Sequence, residues 1–552
     1  MSAAGALARE QALARLRQAR RVDLVVVGGG ATGLGVALDA AARGLDVVLL
    51  EARDFAQGTS SRATKLVHGG VRYLAQGDFG LVREALRERA AILSNAPHVA
   101  QRLGFVVPAF GLWQIPFYGL GLKAYDALAG ARGLGPTRLL GVAHTRALLP
   151  GVRASGLRGG VQYWDGQFDD ARLAVLLART AQDRGALVLN RVSVHGLLHE
   201  PQAPGTAETA HRVVGVLARD EESGEHLEVR AACVVNATGV WVDAVRALDT
   251  PSQPLVAPSQ GLHLVVDRAF LPGTNALLVP RTRDGRVLFA VPWLGKTVLG
   301  TTDTPRPHAA LEPEPLAEEV DFILGEAARV LARAPTRADV RSAWVGLRPL
   351  VRPAASQGAD PAGGATKAIS REHTVLVSDS GLVTVTGGKW TTYRAMAEDV
   401  LERCMRAGLL PRRAGGVTEH LALLGAAPGR SLAEPPGEHL YGSEAAALHA
   451  LPGAANWLAH DAESGAGLLS EAMVRFAARQ ELARSVEDVL ARRSRLLFLD
   501  ARQAAQVAPR VGALLAEELG PAFDAAASVR ACVERAEQYL RLPGAGLTST
   551  RT

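Results

Sequence analysis

The chain has 552 residues, 48% hydrophobic and 21% charged, a balance that supports a folded core and excludes a disordered polyelectrolyte. Net charge is +6, carried by five lysines and 56 arginines, so the basic excess is an arginine preference scattered along the chain, with no basic run interleaved with aromatics to suggest a nucleic-acid surface. The 58 glycines show no triplet period, which excludes a collagen-like chain. The three cysteines have no paired Cys/His spacing, so neither a disulfide framework nor a metal site is expected.

Taken in chain order, residues 3–21 read as a basic amphipathic helix, with Leu7, Leu13 and Leu16 among Arg9, Arg15, Arg17, Arg20 and Arg21. Such a helix packs on its own domain or lies on an anionic membrane surface. Residues 23–27 form an apolar run of the buried parallel-strand type. It ends in Gly28-Gly29-Gly30, is followed by a small-residue helix to Ala42, and leads to a second strand ending at Glu51. Gly28-x-Gly30-x-x-Gly33 lets the backbone approach a pyrophosphate on the helix N-terminus, and Glu51 can accept a ribose hydroxyl. This motif alone does not separate FAD from NAD.

Residues 78–100 read as helical. Residues 113–123, holding Trp113, Phe117, Tyr118 and Lys123, fit either a membrane-interface patch or an ordinary substrate-domain helix. A hairpin is expected around Gly224, from 212–218 and 226–235, and further strands at 287–292 and 297–301. Residues 352–365 read as a mobile loop. Residues 411–437, rich in Pro and Gly, read as a linker, and residues 438–552 as a separate helical domain in which Ser485 and Asp488 form a capping-box pair. Two later strand-to-glycine turns favour a flavin. One runs from Val234 through Asn236 and Thr238 to Gly239; the other runs from Thr384 through Gly387, Gly388 and Lys389 to Thr391. Both suit a cofactor that stays extended across the fold.

Residues 58–74 read Gly58-Thr59-Ser60-Ser61-Arg62-Ala63-Thr64-Lys65-Leu66-Val67-His68-Gly69-Gly70-Val71-Arg72-Tyr73-Leu74. Together with Gly346-Leu347-Arg348-Pro349 and Gly387-Gly388-Lys389-Trp390-Thr391-Thr392-Tyr393, this stretch strongly resembles the FAD-dependent glycerol-3-phosphate dehydrogenase family, with the matches in order from residue 22 to about 400. The resemblance implies oxidation of sn-glycerol 3-phosphate to dihydroxyacetone phosphate, with electrons passing through FAD to a membrane quinone. It also implies peripheral attachment to the inner, cytoplasmic face of the cell membrane. The implied architecture is α/β (α+β overall). A Rossmann-like FAD-binding domain (about 22–75, 150–255 and 345–410) interleaves with an antiparallel-sheet substrate domain (about 76–149 and 256–344) of the glutathione-reductase-2/D-amino-acid-oxidase type, and the C-terminal helical domain follows.

On the family pattern, Arg72, Tyr73, His263, Arg371 and Lys389 are expected substrate contacts, and His68 is the expected base with Arg348 stabilising the alkoxide. His263 is the alternative base. Gly28, Gly30, Gly33, Glu51, Thr59, Ser60, Ser61, Lys65, Gly239, Gly388 and Thr391 are expected to meet FAD. An oxidase passing electrons to oxygen fits the same motifs. A flavin-dependent RNA-modifying protein and a non-catalytic nucleotide sensor are rivals from other classes. The sequence leaves the oligomeric state open, a homodimer included.

Overall fold

Each residue from Leu24 to Val27 is buried, because β1 (Val22–Val27) lies inside a parallel sheet and is covered on both faces. The computed structural model describes residues 4–18, 20–71, 77–201, 211–352 and 372–544. In it, β1 lies between β2 (Val47–Leu50) and β4 (His226–Asn236); β3 (Leu187–Leu189) extends the sheet beyond β2 and β5 (Leu382–Gly387) beyond β4. Pairing is parallel throughout, with Val27 opposite Leu50 on one side and Asn236 on the other.

Side chains alternate between two cores, as the two-residue period of a strand requires. Leu24, Val26, Val47 and Leu49 face the helices α2 (Ala31–Ala42), α3 (Asp170–Asp183) and α4 (Tyr393–Arg406). Val25, Val27, Val48 and Leu50 face the other way, toward the antiparallel ribbon Val192–Pro201/His211–Asp220 and helix α1 (Ala4–Gln18). The hairpin expected around Gly224 is present as His211–Asp220 paired with β4.

Helix α1 docks on the protein itself: Leu13 and Leu16 are buried, and Arg9 is buried against Asp220 and the Asn190 carbonyl. Arg9 is thus part of an internal ion pair, while Arg15, Arg17, Arg20 and Arg21 stay exposed.

The second sheet is long and mostly antiparallel. Val256–Asp267 pairs with Val340–Val351 along nearly its full length, and with Lys296–Gly300 on its other edge. Leu288–Trp293, Ala276–Val279, Ala100–Ala109 and Gly159–Phe168 continue the sheet to Leu66–Val67. Ala276–Val279 runs parallel to Ala100–Ala109, the one parallel pair of this sheet among the described residues. Gly159–Phe168 and Val340–Val351 also belong to this sheet.

The C-terminal region packs directly against the second sheet. It contains a small hairpin, Trp457–His460/Gly467–Ser470, and the helices Glu471–Gln480, Ala501–Leu519 and Ala525–Leu540. Its core is continuous with the second sheet: Leu497 and Phe498 share a cluster with Val265, Trp293, Val298 and Trp344. The Pro/Gly-rich stretch before it is a packed strap, with Leu423 and Leu432 buried and Leu432 accepting from Leu294 N–H at 2.7 Å. Proline and glycine there mark turns against the protein surface. Ser485 Oγ accepts from Asp488 N–H at 3.1 Å, but the Asp488 carboxylate accepts from Arg191, Arg492 and Arg484 N–H instead of closing the box.

Candidate active site

The turn from β1 into α2 is shaped by glycine. Gly28 has φ +108°, and a Cβ there would approach the Ala237 carbonyl oxygen to 2.7 Å; a Cβ at Gly33 would overlap the Gly28 carbonyl. The first-turn amides of α2 have no intrahelical acceptor, so they form a ready anion site above Gly30. Ser60 Oγ accepts one of them, from Ala31, at 3.0 Å. Glu51, at the end of β2, accepts from Gly29 N–H at 2.6 Å and from Arg53 N–H at 2.8 Å. Desolvation raises its carboxyl above the usual range, against those two hydrogen bonds.

The ends of β4 and β5 lie beside this cradle, because all three strands are parallel neighbours. Ala237 N–H donates to the Val27 carbonyl at 2.9 Å, and Thr386 Oγ1 donates to the Gly239 carbonyl at 3.1 Å. Gly388 has φ +73°, and a side chain there would strike Met396. The glycine cradle and Glu51 fit the pyrophosphate and ribose of a dinucleotide, and the two further strand ends suit the extended remainder of FAD.

The segment 58–70 threads between all of these parts. Thr59 Oγ1 donates to the Leu347 carbonyl at 2.6 Å, and the Ser60 carbonyl accepts from Trp390 Nε1 at 2.7 Å. Arg62 donates to the Val345 carbonyl at 3.2 Å, and His68 N–H donates to Thr391 Oγ1 at 3.2 Å. The half-buried His68 is therefore held against the turn that carries Lys389, itself half-buried two residues before Thr391. Arg348 lies opposite Ser259 in the long strand pair. Its guanidinium donates to the Gln260 carbonyl and Asp303, each at 3.3 Å, and to Thr301 Oγ1 at 3.0 Å. Arg72, Tyr73 and Arg371, and most of the loop 352–365, lie outside the described residues.

Two of the expected site residues, Lys65 and His263, are buried, and Lys65 is held in an internal ion pair. Its ammonium is completely buried, donates to the Ser61 carbonyl at 2.7 Å and to both Asp170 oxygens at 2.9 and 2.7 Å, and lies 4.5 Å from the Trp344 ring centroid. Burial pulls the ammonium down to about 7, against the opposing pull of Asp170. Arg495 shares Asp170 at 3.1 Å.

His263 is 2% exposed and stacked on Trp344 at 4.2 Å, with its Nε2 2.9 Å from Thr64 Oγ1. Burial, then Lys65 and Arg348, hold its imidazole well below the ordinary range, so it is neutral at pH 7. It buttresses the 58–70 segment. Ser61 is also buried, and its hydroxyl has no partner among the described residues.

Sequence reasoning missed Asp170, Arg495 and Asp303 as supports of this region. Trp390 carried a signal, since it lies inside the glycine-lysine motif; Arg495 had none.

Residues 23–394 match the family described as FAD dependent oxidoreductase, and residues 416–525 match the C-terminal domain of alpha-glycerophosphate oxidase. The chain is 40% identical to a mitochondrial glycerol-3-phosphate dehydrogenase of Arabidopsis thaliana, covering 93% of this chain and 85% of that one. It is 35% identical to the mitochondrial glycerol-3-phosphate dehydrogenase of Schizosaccharomyces pombe, covering 98% and 90%. The solved structure of the Bacillus halodurans glycerol-3-phosphate dehydrogenase complexed with FAD superposes with a TM-score of 0.74 at 28% identity, covering 98% of this chain and 99% of that one. Fold, dinucleotide cradle and relatives agree: the chain belongs to the FAD-dependent glycerol-3-phosphate dehydrogenase family, and FAD is its cofactor.

Proposed function

We propose that the protein oxidises sn-glycerol 3-phosphate at C2 to dihydroxyacetone phosphate and passes the electrons to a membrane quinone. The observation that carries this reading is the His68–Thr391 hydrogen bond, which joins the histidine motif to the Gly387–Lys389 turn beside the dinucleotide cradle. Bound FAD supplies the acceptor for the C2 hydride. His68 takes the proton of the C2 hydroxyl, a role suited to an imidazole near neutral pH. Arg348, oriented by Asp303 and Thr301, stabilises the developing alkoxide. Lys389 with Arg72 and Arg371 receives the phosphate, as point charge and planar forks respectively, and Tyr73 borders the substrate.

No helix among the described residues is long and apolar enough to cross a membrane. Peripheral attachment is supported by one surface patch, where Leu112 is 74%, Trp113 83%, Phe117 73% and Leu120 75% exposed around the helix Gln114–Ala129. Aromatic and aliphatic side chains this exposed suit the headgroup boundary, with Lys123 on the same helix toward anionic lipid. A quinone acceptor fits enzyme held at that surface. The test is turnover with glycerol 3-phosphate in the presence of a short-chain quinone, with hydrogen peroxide followed in parallel. Quinone reduction with little peroxide is expected; peroxide equal to substrate consumed would establish the oxidase instead.

A further inference from the structure

Outside the cofactor region, three side chains from two distant parts of the chain converge at one edge of the fold. His199 and His211 come from the antiparallel ribbon, where His199 pairs with Val213 and Pro201 with His211, so the two histidines are diagonal neighbours on one face. Asp249 comes from the turn after the helix Val242–Arg246. His199 Nε2 lies 3.1 Å and His211 Nε2 3.4 Å from the same Asp249 oxygen, Oδ1, and the two rings meet at right angles with centroids 4.5 Å apart. All three ligand atoms fall within 4.8 Å of one another.

We propose that His199, His211 and Asp249 form a binding site for a divalent cation of the zinc class. Metal–ligand bonds of about 2.1 Å at tetrahedral angles put neighbouring ligand atoms about 3.4 Å apart. The two imidazole–carboxylate edges, 3.1 and 3.4 Å, are near that length, and the third lies within 4.8 Å. Two imidazoles and one carboxylate are the donor set of a borderline cation rather than of calcium or magnesium, which take oxygen cages.

The carboxylate is also held as a ligand should be. Its other oxygen, Oδ2, accepts from Ser380 Oγ at 2.6 Å and Ser378 Oγ at 3.3 Å, which leaves Oδ1 facing the imidazoles. Asp249 is 4% exposed at its side chain, whereas His199 and His211 are 28% and 40% exposed, so the site opens to solvent on the histidine side. Bound there, the cation ties the ribbon to the turn carrying Asp249 and to the turn between His373–Val377 and β5, which leads into the Gly387–Gly388 motif. The site is structural: it lies on a ribbon of the dinucleotide sheet and contributes no group to the reaction.

The test uses tag-free holoenzyme freed of metal by a chelator and titrated with Zn²⁺ by calorimetry, with thermal unfolding followed with and without Zn²⁺. One equivalent is expected to bind at micromolar or tighter affinity and to raise the unfolding temperature. His199→Ala and His211→Ala should each abolish that equivalent and the thermal shift while leaving flavin content and turnover unchanged. A second exposed pair, His195 and His226, has ring centroids 5.4 Å apart and serves as the control. The double variant His195→Ala/His226→Ala should keep the bound equivalent. Absence of saturable binding, binding that survives both His199→Ala and His211→Ala, or binding lost only in the control variant would each overturn the proposal.

Discussion

Arg495 donates to the main-chain carbonyl of Ser61 at 2.9 Å, joining residues 434 positions apart. The same guanidinium reaches Asp170, which also pairs with Lys65, and Arg492 and Arg493 close on Asp54 nearby. Through these buried arginines the C-terminal region braces the segment that threads the active site. In the protein interior a guanidinium spreads its charge over several acceptors, which suits it to such joints.

Removal of Asp170 should be the most damaging change in that network. Asp170→Asn leaves Lys65 and Arg495 buried with too little negative charge, for a loss of about 3–5 kcal/mol. Arg495→Met keeps the Lys65–Asp170 pair and should cost less. Urea unfolding of both variants checks the order; equal stability of Asp170→Asn and the parent would contradict it.

Gly28→Ala should yield protein without flavin. The substitution forces a side chain onto φ +108° and toward the Ala237 carbonyl, where the dinucleotide turn is tightest. The ratio of flavin to protein absorbance after purification measures this directly, and a full flavin complement in the variant would refute the placement of the cradle.

His68→Ala should retain flavin and lose turnover by about 100-fold or more, the scale expected for a lost general base. Stopped-flow reduction of the bound flavin separates this from slower acceptor reoxidation. His263→Gln, by contrast, should act chiefly on stability, because the buried ring holds Thr64 and stacks on Trp344.

Acid should loosen the strap that precedes the C-terminal helices. His98 is fully buried against Gly425 and Gly442, and neither ring nitrogen has a partner among the described residues. Burial first, then Arg172, pulls its imidazole from 6.5 to about 4. The unfolded chain therefore binds the proton more readily between those values. The associated stability is fully present above pH 6.5 and is lost as pH falls toward 4, by at most about 3 kcal/mol. Denaturant unfolding across that range should show a shallower acid decline in His98→Leu than in the parent.

What the sequence made legible was local. The first strand, glycine turn, helix and second strand announce themselves by period and by Glu51, and the hairpin around Gly224 by two alternating runs. The residues of 58–70 and 387–393 were recognisable as motifs, and the structure brings Ser60 to α2, Thr59 to Leu347 and His68 to Thr391. What was hidden depends on partners far away in sequence. Lys65 lies inside the 58–70 motif, but only Asp170 and three aromatic rings reveal its buried ion pair. The arginines are scattered along the sequence without local pattern, yet Arg89, Arg172, Arg492, Arg493 and Arg495 are among the largest fully buried side chains. Each is matched to an acid whose position no local pattern foretells. The His199–His211–Asp249 cluster was invisible for the same reason, since its spacing is set by a ribbon and a distant turn.

The most direct test of the function is anaerobic addition of glycerol 3-phosphate to the purified holoenzyme while the visible flavin absorbance is followed. Rapid bleaching of the oxidised flavin band, with dihydroxyacetone phosphate formed in equal amount, is the expected result. An unchanged flavin spectrum at saturating substrate, in protein that carries its full flavin complement, would contradict the assignment.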